Sequence, residues 1–252
     1  MTDEATTDET TTDEATTTDP PEARSRSRSR SVALFARDVL IIVLAAILIS
    51  FLVKTFLFRS FYIPSESMES TLVKNDRIIV NELVPNLVPL ERGDVVVFRD
   101  PGSWLEQRDD TRSGVEKAVD TVLGVIGLTA PDSNNHLVKR LIGLPGDEVV
   151  CCDNGHLTVN GVTLDEPYIT VEAGEDAAPA TFDVTVPADR LWVMGDNRYF
   201  SADSLKHYQL GDPGGGMVPV DDVVGRAILL SWPASRWTWL DNYPDVFAGT
   251  DN

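Results

Sequence analysis

The amino-acid sequence predicts a mainly β domain of antiparallel sheets, placed behind one N-terminal transmembrane helix and a disordered acidic tail. Three observations lead to this prediction. The first residues lack core-forming side chains, and an apolar run of 20 residues follows them at Val39–Phe58. The remainder of the 252-residue chain carries short segments rich in Val, Ile and Leu that are separated by turn residues, which is typical of strands.

Residues 1–31 are predicted to form a disordered cytoplasmic tail that is first acidic and then rich in Arg and Ser. Residues 1–23 consist mostly of Thr, Asp, Glu and Ala, and such a composition cannot bury a core. The segment "RSRSRSR" follows at Arg24–Arg30. The formal net charge of the chain is -19, which argues against a nucleic-acid partner because phosphate contacts need clustered Lys and Arg.

Residues 32–58 are predicted to be a transmembrane anchor. The apolar run within them holds one charge, Lys54, and at about 1.5 Å per residue it spans roughly 30 Å, the thickness of a bilayer core. It is apolar on every side rather than striped, although a buried soluble helix has a similar composition. No small-x-small cleavage site follows, so we expect a retained anchor rather than a removed signal peptide.

The orientation follows from the charges before the anchor. Five arginines precede the apolar run, and the positive-inside rule therefore predicts a cytoplasmic N-terminus. Residues 59–252 are then extracytoplasmic, and the protein is expected to be a single-pass protein of the plasma membrane with the lipid bilayer as a partner.

Residues 59–252 are predicted to form a β-rich domain. The predicted strands lie in eight segments: "DRIIVNEL", "GDVVVFRD", "HLVKRLIGL", "DEVVCC", "HLTVNGVTL", "TFDVTV", "RLWVMGD" and "GRAILLSW". Asn160-Gly161 lies between "LTV" and "VTL", which indicates a hairpin. A helical insertion is expected near 103–130, where "SGVEKAVDTVLGVIGL" has apolar residues at helical spacing; it packs on the sheet or serves as a lid. A small β subdomain is expected near 145–190.

The two cysteines of the chain, Cys151 and Cys152, are adjacent. Two cysteines provide neither a disulfide framework nor a metal cluster. We interpret them as a pair of small thiols at the end of a strand, with a strained vicinal disulfide as the alternative.

An aromatic cluster near the C-terminus has two interpretations, a part of the core or a patch at the membrane interface. Its members are Trp232, Trp237, Trp239 and Tyr243. Core packing is the default for such large side chains.

A serine-rich turn follows the anchor almost directly, in "SFYIPSESMESTL" at Ser60–Leu72. A serine needs a base to become a nucleophile. The three histidines, His136, His156 and His207, are scattered, and no G-x-S-x-G motif is present. A lysine becomes a base when burial lowers its pKa from about 10.4. Lys139 has apolar neighbours in "NHLVKRLIGLPGD" and is therefore a candidate base.

Four motifs together give a family resemblance. "IPSESMESTL" resembles the nucleophile box P-S-x-S-M-x-P-T-L of the bacterial type I signal peptidases, and "VKRLIGLPGD" resembles their lysine box. "GDVVVF" and "MGDNRYFSADS" are similar to the two remaining boxes of the family, and all four occur in the family's order within about residues 60–230. The resemblance implies a signal-peptidase-like fold and a membrane-bound serine endopeptidase. It would remove signal peptides from secretory preproteins by cutting after small residues.

The resemblance also implies a role for each matching residue. Ser67 falls on the nucleophile and Lys139 on the general base, and a lysine in that place points to the bacterial branch. The Ser65 hydroxyl and the Ser67 backbone N–H fall on the oxyanion hole. Ser201 falls on the serine that orients the lysine, and Asp203 on a supporting residue. No metal or cofactor is implied.

Several residues depart from the family's pattern. Ser70 stands where proline is usual, Tyr199 and Phe200 where a polar pair is usual, and Leu205 where an arginine usually pairs with the aspartate at Asp203. Lys206, Arg198 or backbone donors could replace that arginine. The departures motivate an alternative function, that of a catalytically impaired relative acting as a membrane-anchored binding protein.

A protease held at a membrane surface would receive its substrate as an extended peptide. Such a peptide can add to the exposed edge of a sheet, so that main-chain bonds supply affinity and shallow pockets select side chains. The segment "SFYIPS" is the predicted part of that edge.

Overall fold

The computed structural model describes residues 23–102, 104–105 and 135–251, without the side chains of 23–31, 33 and 52–56. The predictions for residues 1–22 and for the helix in "SGVEKAVDTVLGVIGL" therefore lie outside the described residues. The chain divides into two compact units, Met1–Ser50 and Phe51–Asn252.

A long helix, α1, spans Ala23–Phe56. Its segment Leu34–Phe51 has 18 residues and a mean hydropathy of 2.4, so it is long and apolar enough to cross a membrane. None of these residues is buried within the protein. Residues 23–31, which the sequence assigns to a disordered tail, are helical. Arginine favours the helical state, and extending an existing helix avoids the unfavourable nucleation step, so the helix continues into the Arg/Ser segment.

Twelve strands are present in the described residues, and every ladder within the two sheets is antiparallel. Their bounds are β1 Phe58–Tyr62, β2 Arg77–Asn81, β3 Val95–Arg99, β4 His136–Gly143, β5 Glu148–Asp153, β6 His156–Val159, β7 Val162–Thr163, β8 Phe182–Thr185, β9 Arg190–Met194, β10 Val218–Pro219, β11 Val223–Trp232 and β12 Thr238–Trp239. A short helix, α2, spans Ser204–Leu210, and 3₁₀ turns occupy Arg198–Phe200, Val220–Asp222 and Ala234–Arg236.

The larger sheet has the strand order β1-β2-β11-β3-β4-β9-β10, and β12 pairs with β11 in addition. The smaller sheet has the order β7-β6-β5-β8, and its strands all lie within residues 145–190. The antiparallel, mainly β fold class is as the sequence predicts.

All eight predicted strand segments are strands in the structure. The hairpin between β6 and β7 turns at Asn160-Gly161, where both residues have positive φ, 51° and 80°, as a tight hairpin turn requires. The strand β1 was predicted only in part, as the edge segment "SFYIPS", because it begins at the end of the apolar run. The strands β10 and β12 were not predicted; they have only two residues each, too few to show an alternating pattern.

The core beneath the serine-rich turn is formed by apolar side chains of the larger sheet and of the turn itself. Phe61 of β1 and Ile63, just after this strand, pack in one cluster with Met68 and Leu72 of the turn. All four are almost fully buried. Burial of a large apolar side chain stabilises by about 1.5–3 kcal/mol, so these contacts hold the turn firmly on the sheet.

Cys151 and Cys152 are joined by a disulfide, so the interpretation as two thiols is wrong. The ladder between β5 and β6 shifts its register between Cys151 and Asp153. A bulge of this kind breaks the alternation of side chains across the sheet, which lets the neighbouring sulfurs approach each other.

The C-terminal tryptophans do not belong to the core, contrary to the default expectation. The exposed fractions of Trp232, Trp237 and Trp239 are 57%, 65% and 70%. Tyr243 differs from them, since its ring lies 5.3 Å from the guanidinium of Arg140. The three exposed indoles therefore form a surface on β11 and β12.

Candidate active site

Buried residues before and after Ser67 fix its position in the serine-rich turn. Met68 and Leu72 of the turn are buried, and the backbone N–H of Leu72 donates to the Met68 carbonyl at 2.7 Å. Before the turn, the Ile63 N–H donates to the Asp76 carbonyl at 2.9 Å. Hydrogen bonds and burial on both sides therefore fix the position of Ser67, whose exposed fraction is only 7%.

Lys139 lies on β4, an interior strand of the larger sheet, opposite Val96 of β3. Its exposed fraction is 4%, and its Nζ donates to Ser67 Oγ at 2.5 Å. The two residues are separated by 72 positions in the chain, so the fold brings them together. An amine within hydrogen-bond reach of a hydroxyl is placed to accept its proton.

The pKa of Lys139 is well below that of an exposed lysine. Burial lowers the pKa from 10.5 to about 8, and the negative charges of Asp203 and Asp196 oppose this shift. Desolvation destabilises the ammonium relative to the neutral amine. The neutral amine that a general base requires is therefore far more abundant near pH 8 than it is in an exposed lysine.

Two donors converge beside the Ser67 hydroxyl. Ser65 Oγ lies 3.3 Å from Ser67 Oγ. The Ser67 backbone N–H has no hydrogen-bond acceptor within the described part of the chain. A hydroxyl and a free N–H next to a nucleophile can stabilise an oxyanion that forms there.

Asp203 is buried and is satisfied by backbone donors. It is the N-cap of α2, where its Oδ1 accepts from the Leu205 N–H at 3.2 Å. Its Oδ2 accepts from the Gly195 N–H at 2.9 Å. The backbone thus takes the place of the arginine that is usual at position 205, and Leu205 joins the apolar core instead.

Ser201 lies against the backbone of the nucleophile. A Cβ added to Gly195 would come within 2.4 Å of both Ser201 Oγ and the Ser67 carbonyl oxygen. Within the described residues, Ser201 Oγ is buried and has no hydrogen-bond partner. The hydrogen bond to Lys139 that the resemblance implies is not formed here; Lys139 Nζ donates to the Ser67 hydroxyl.

The unpartnered hydroxyl leads to a prediction for Ser201→Ala. We expect activity to fall at least several-fold, because Lys139 loses a potential neighbour that restrains its flexible side chain. The melting temperature should stay the same or rise, because the substitution removes a buried polar group that makes no hydrogen bond. Steady-state kinetics and thermal unfolding on the same preparation test both parts. Full activity in the variant would show that Ser201 does not support the base.

Sequence reasoning missed a buried ion pair next to the base. Arg140 Nε and Nη2 donate to the two carboxylate oxygens of Asp196, both at 2.8 Å, and both side chains are completely buried. The Thr71 hydroxyl donates to the same carboxylate at 2.5 Å. Arg140 follows Lys139 in β4, and Thr71 belongs to the serine-rich turn. The pair therefore ties the strand of the base to the turn of the nucleophile.

Further contacts hold the Arg140 guanidinium. It lies 4.0 Å from the ring centroid of Tyr168, and its Nη1 donates to the carbonyl of Gly93 at 2.7 Å and to that of Asp241 at 3.1 Å. In the sequence, the only indication that Arg140 and Asp196 matter was that each lies inside one of the matched motifs. Only the fold shows that they meet.

A second buried ion pair involves Arg198. Its Nη2 donates to Glu166 Oε1 at 2.6 Å, and the Tyr168 hydroxyl donates to the same oxygen at 2.8 Å. Arg198 is thus committed to Glu166 and does not replace the missing arginine beside Asp203.

Ser70 has a φ of 98°, which a proline cannot adopt because its ring fixes φ near −65°. The Ser70 hydroxyl donates to the Tyr168 carbonyl. The departure from the family's proline thus comes with a different backbone conformation and with a hydrogen bond to another loop.

A small cavity of about 100 Å³ opens beside the serine and the lysine. Ser65, Ser67 and Lys139 line it, together with side chains of β1 and β4 such as Tyr62 and His136. It is well below the roughly 300–1,000 Å³ of ordinary ligand pockets. The strand β1 is the edge of the larger sheet and includes part of the predicted edge segment.

A serine hydrogen-bonded to a buried lysine, beside a small cavity at the edge of a β-sheet, can supply a nucleophile and its base for the cleavage of a peptide bond. The family model "Signal peptidase, peptidase S26" matches residues 36–232. The chain belongs to this family, and it is a serine endopeptidase.

Known proteins similar to this chain carry the same family description. A "Signal peptidase I" of Mycobacterium tuberculosis is 41% identical over 237 residues, covering 87% of this chain and 78% of the relative. A "Probable signal peptidase I" of Mycobacterium leprae is 40% identical over 221 residues, covering 78% and 76%. The crystal structure of a signal peptidase I from Enterococcus faecalis V583 is 26% identical with a TM-score of 0.35, covering 54% of this chain and 95% of that one.

Proposed function

We propose that this endopeptidase removes N-terminal signal peptides from secretory preproteins, with Ser67 as nucleophile and Lys139 as general base. The observation that carries the proposal is the 2.5 Å hydrogen bond between Lys139 Nζ and Ser67 Oγ. The relatives named signal peptidase I support the substrate class.

The first half of the reaction forms an ester. Neutral Lys139 accepts the Ser67 proton while Oγ attacks the carbonyl carbon of the scissile bond. The Ser65 hydroxyl and the Ser67 N–H stabilise the resulting oxyanion. The lysine ammonium then donates its proton to the leaving amine, the C–N bond breaks, and the signal peptide remains bound to Ser67 as an ester.

The second half of the reaction restores the enzyme. Neutral Lys139 accepts a proton from a water molecule that attacks the ester carbonyl. The intermediate collapses, the Ser67 oxygen leaves and takes up the proton from Lys139, and the signal peptide is released with a new carboxyl group, which loses its proton to the solvent. The negative charge of Asp203 stabilises the lysine ammonium that forms in both halves, and Ser201 remains the proposed restraint on the lysine side chain.

The size of the cavity supports cleavage after small residues. A volume of about 100 Å³ accommodates side chains such as that of alanine, whereas a large apolar side chain would overfill it. The edge strand β1 offers main-chain groups to an extended substrate. Specificity would therefore come from the narrow cavity, and affinity from the strand edge.

The long helix supports an anchored enzyme. We propose residues 32–58 as a single-pass anchor in the plasma membrane, with residues 1–31 in the cytoplasm and the catalytic domain, 59–252, on the outer side. The apolar segment Leu34–Phe51 and the arginines before it support this arrangement.

The exposed tryptophans lead to a prediction about the bilayer. Indole rings favour the membrane–water interface, so we expect quenching of tryptophan fluorescence when the full-length protein is placed in vesicles that contain brominated lipids. The chain has five tryptophans, and the other two, Trp104 and Trp192, have exposed fractions of only 9% and 0%. A variant with Phe at 232, 237 and 239 is therefore the matched control and should not be quenched. Equal quenching of the two proteins would contradict an interfacial role.

The function is tested by incubating the detergent-solubilised protein and its Ser67→Ala variant with a secretory preprotein. We expect the unaltered protein to release the mature protein and the variant to release none. Terminal sequencing of the product locates the cut, which should follow a small residue. Binding of the preprotein without cleavage would instead favour the binding-protein alternative.

A further inference from the structure

A second cleft of about 330 Å³ lies next to Ser201. Its lining includes the two aromatic residues that depart from the family's pattern, Tyr199 and Phe200, together with Leu205 and Lys206. Phe200 is 77% exposed, so its ring is accessible to a ligand in the cleft. The polar pair usual at these positions would give the cleft a different chemistry.

Ser67 lines only the small cavity, and the two cavities share no lining residue, but the backbone of Ser67 lies close to the second cleft. Its side chain lines the small cavity beside Lys139. Its carbonyl oxygen accepts from the Asn197 N–H at 3.1 Å and lies beside Ser201, which lines the second cleft. The second cleft therefore lies close to the residue that would hold the scissile bond.

Of the charged side chains that line the second cleft, only Lys206 is available to bind a ligand. Both oxygens of Asp203 accept backbone hydrogen bonds, and Arg198 is paired with Glu166. Lys206 is exposed and forms no ion pair within the described part of the chain. The cleft thus offers an apolar surface and one available cation.

We propose that this cleft binds the segment of the preprotein that follows the scissile bond. An apolar side chain of that segment packs against Phe200, and an acidic side chain within its first few residues lies near Lys206. This inference rests on the proposed function. It adds that the enzyme selects its substrates on the mature side of the cut as well as in the signal peptide.

The test compares two peptides that share the residues before the cut. The long peptide has five residues after the cut, including an apolar and an acidic one, and the short peptide has one. We expect Phe200→Ala to lower the ratio of kcat/KM for the long peptide to that for the short peptide by about tenfold, because an apolar contact of this size is lost. Leu210→Ala is the matched control, because Leu210 is 61% exposed on α2 and does not line the cleft.

Charge reversal tests the second contact. Lys206→Glu should shift the preference from a long peptide with an acidic residue to one with lysine at the same place, by about threefold or more, as expected for an exposed ion pair. Lys74→Glu, at an exposed lysine outside both cavities, should leave the preference as it is in the unaltered protein.

The outcomes separate this inference from the proposed function. Cleavage of neither peptide by the unaltered protein, or cleavage by Ser67→Ala, would overturn both. Cleavage of both peptides with an unchanged ratio in Phe200→Ala and an unchanged preference in Lys206→Glu would overturn the role of the cleft alone. If Phe200→Ala lowers kcat/KM equally for the two peptides, their ratio is unchanged, and this result also counts against the role of the cleft.

Discussion

Replacing Lys139 by arginine should lower kcat by about 10⁴-fold or more, as the loss of one member of a catalytic unit typically does. Arginine stays protonated at every pH that a protein tolerates, so it cannot accept the Ser67 proton. The guanidinium would also be buried where Lys139 is only 4% exposed. Lys139→Met is therefore the second variant, since methionine is close to lysine in shape, carries no charge and cannot act as a base.

The two variants are measured together with a control. Both should lose activity on a preprotein-derived peptide, and Lys139→Met should keep the melting temperature or raise it. Lys74→Arg, at an exposed site, should keep the activity of the unaltered protein. Activity within tenfold of the unaltered protein in either Lys139 variant would exclude lysine as the base.

Arg140→Ala should destabilise the protein by about 3–5 kcal/mol, because it leaves a buried carboxylate without its partner. Asp196 is completely buried, and the Thr71 hydroxyl alone does not compensate its charge. Urea unfolding measures the change in the free energy of unfolding. Arg99→Ala is the control, since Arg99 is 60% exposed in its pair with Asp222 and such pairs contribute about 1 kcal/mol or less.

A double variant separates stability from function. Arg140→Met combined with Asp196→Leu removes both charges, and we expect it to recover much of the lost stability. It should not recover activity, because the link from β4 to Thr71 of the serine-rich turn is absent. A loss for Arg140→Ala as small as that for Arg99→Ala would show that the pair does not hold the two segments together.

Much of the fold could be predicted because its strands follow simple local rules. Segments such as "GDVVVF" are short, β-branched and bounded by Gly or Asp, and Asn160-Gly161 is a strong hairpin signal. The beginning of β1 was missed because its first residue, Phe58, is the last residue of the apolar run. The tryptophans were misjudged because sequence shows that an indole is apolar but not whether it faces outward.

The site was predictable where it lies in local motifs and unpredictable where it depends on the fold. Ser67 and Lys139 could be named from their motifs, and the structure places them in hydrogen-bond contact. The pairing of Arg140 with Asp196 joins residues 56 positions apart, which no local pattern reveals. Because leucine replaces the usual arginine at position 205, the sequence did not show what pairs with Asp203. The structure shows that its partners are backbone N–H groups, one of them at the start of α2.

The pH dependence of kcat/KM tests the central claim, that neutral Lys139 is the base, most directly. Only the neutral amine accepts the Ser67 proton, so kcat/KM should fall as the pH drops through the lysine pKa of the free enzyme. Burial lowers that pKa to about 8, with Asp203 opposing the shift. We therefore expect an acidic limb at about pH 8, which Asp203→Asn moves to lower pH because a negative charge that favours the ammonium is removed. A limb near the histidine value of about 6.5 that disappears on replacing His136, which lines the same cavity, would contradict the account.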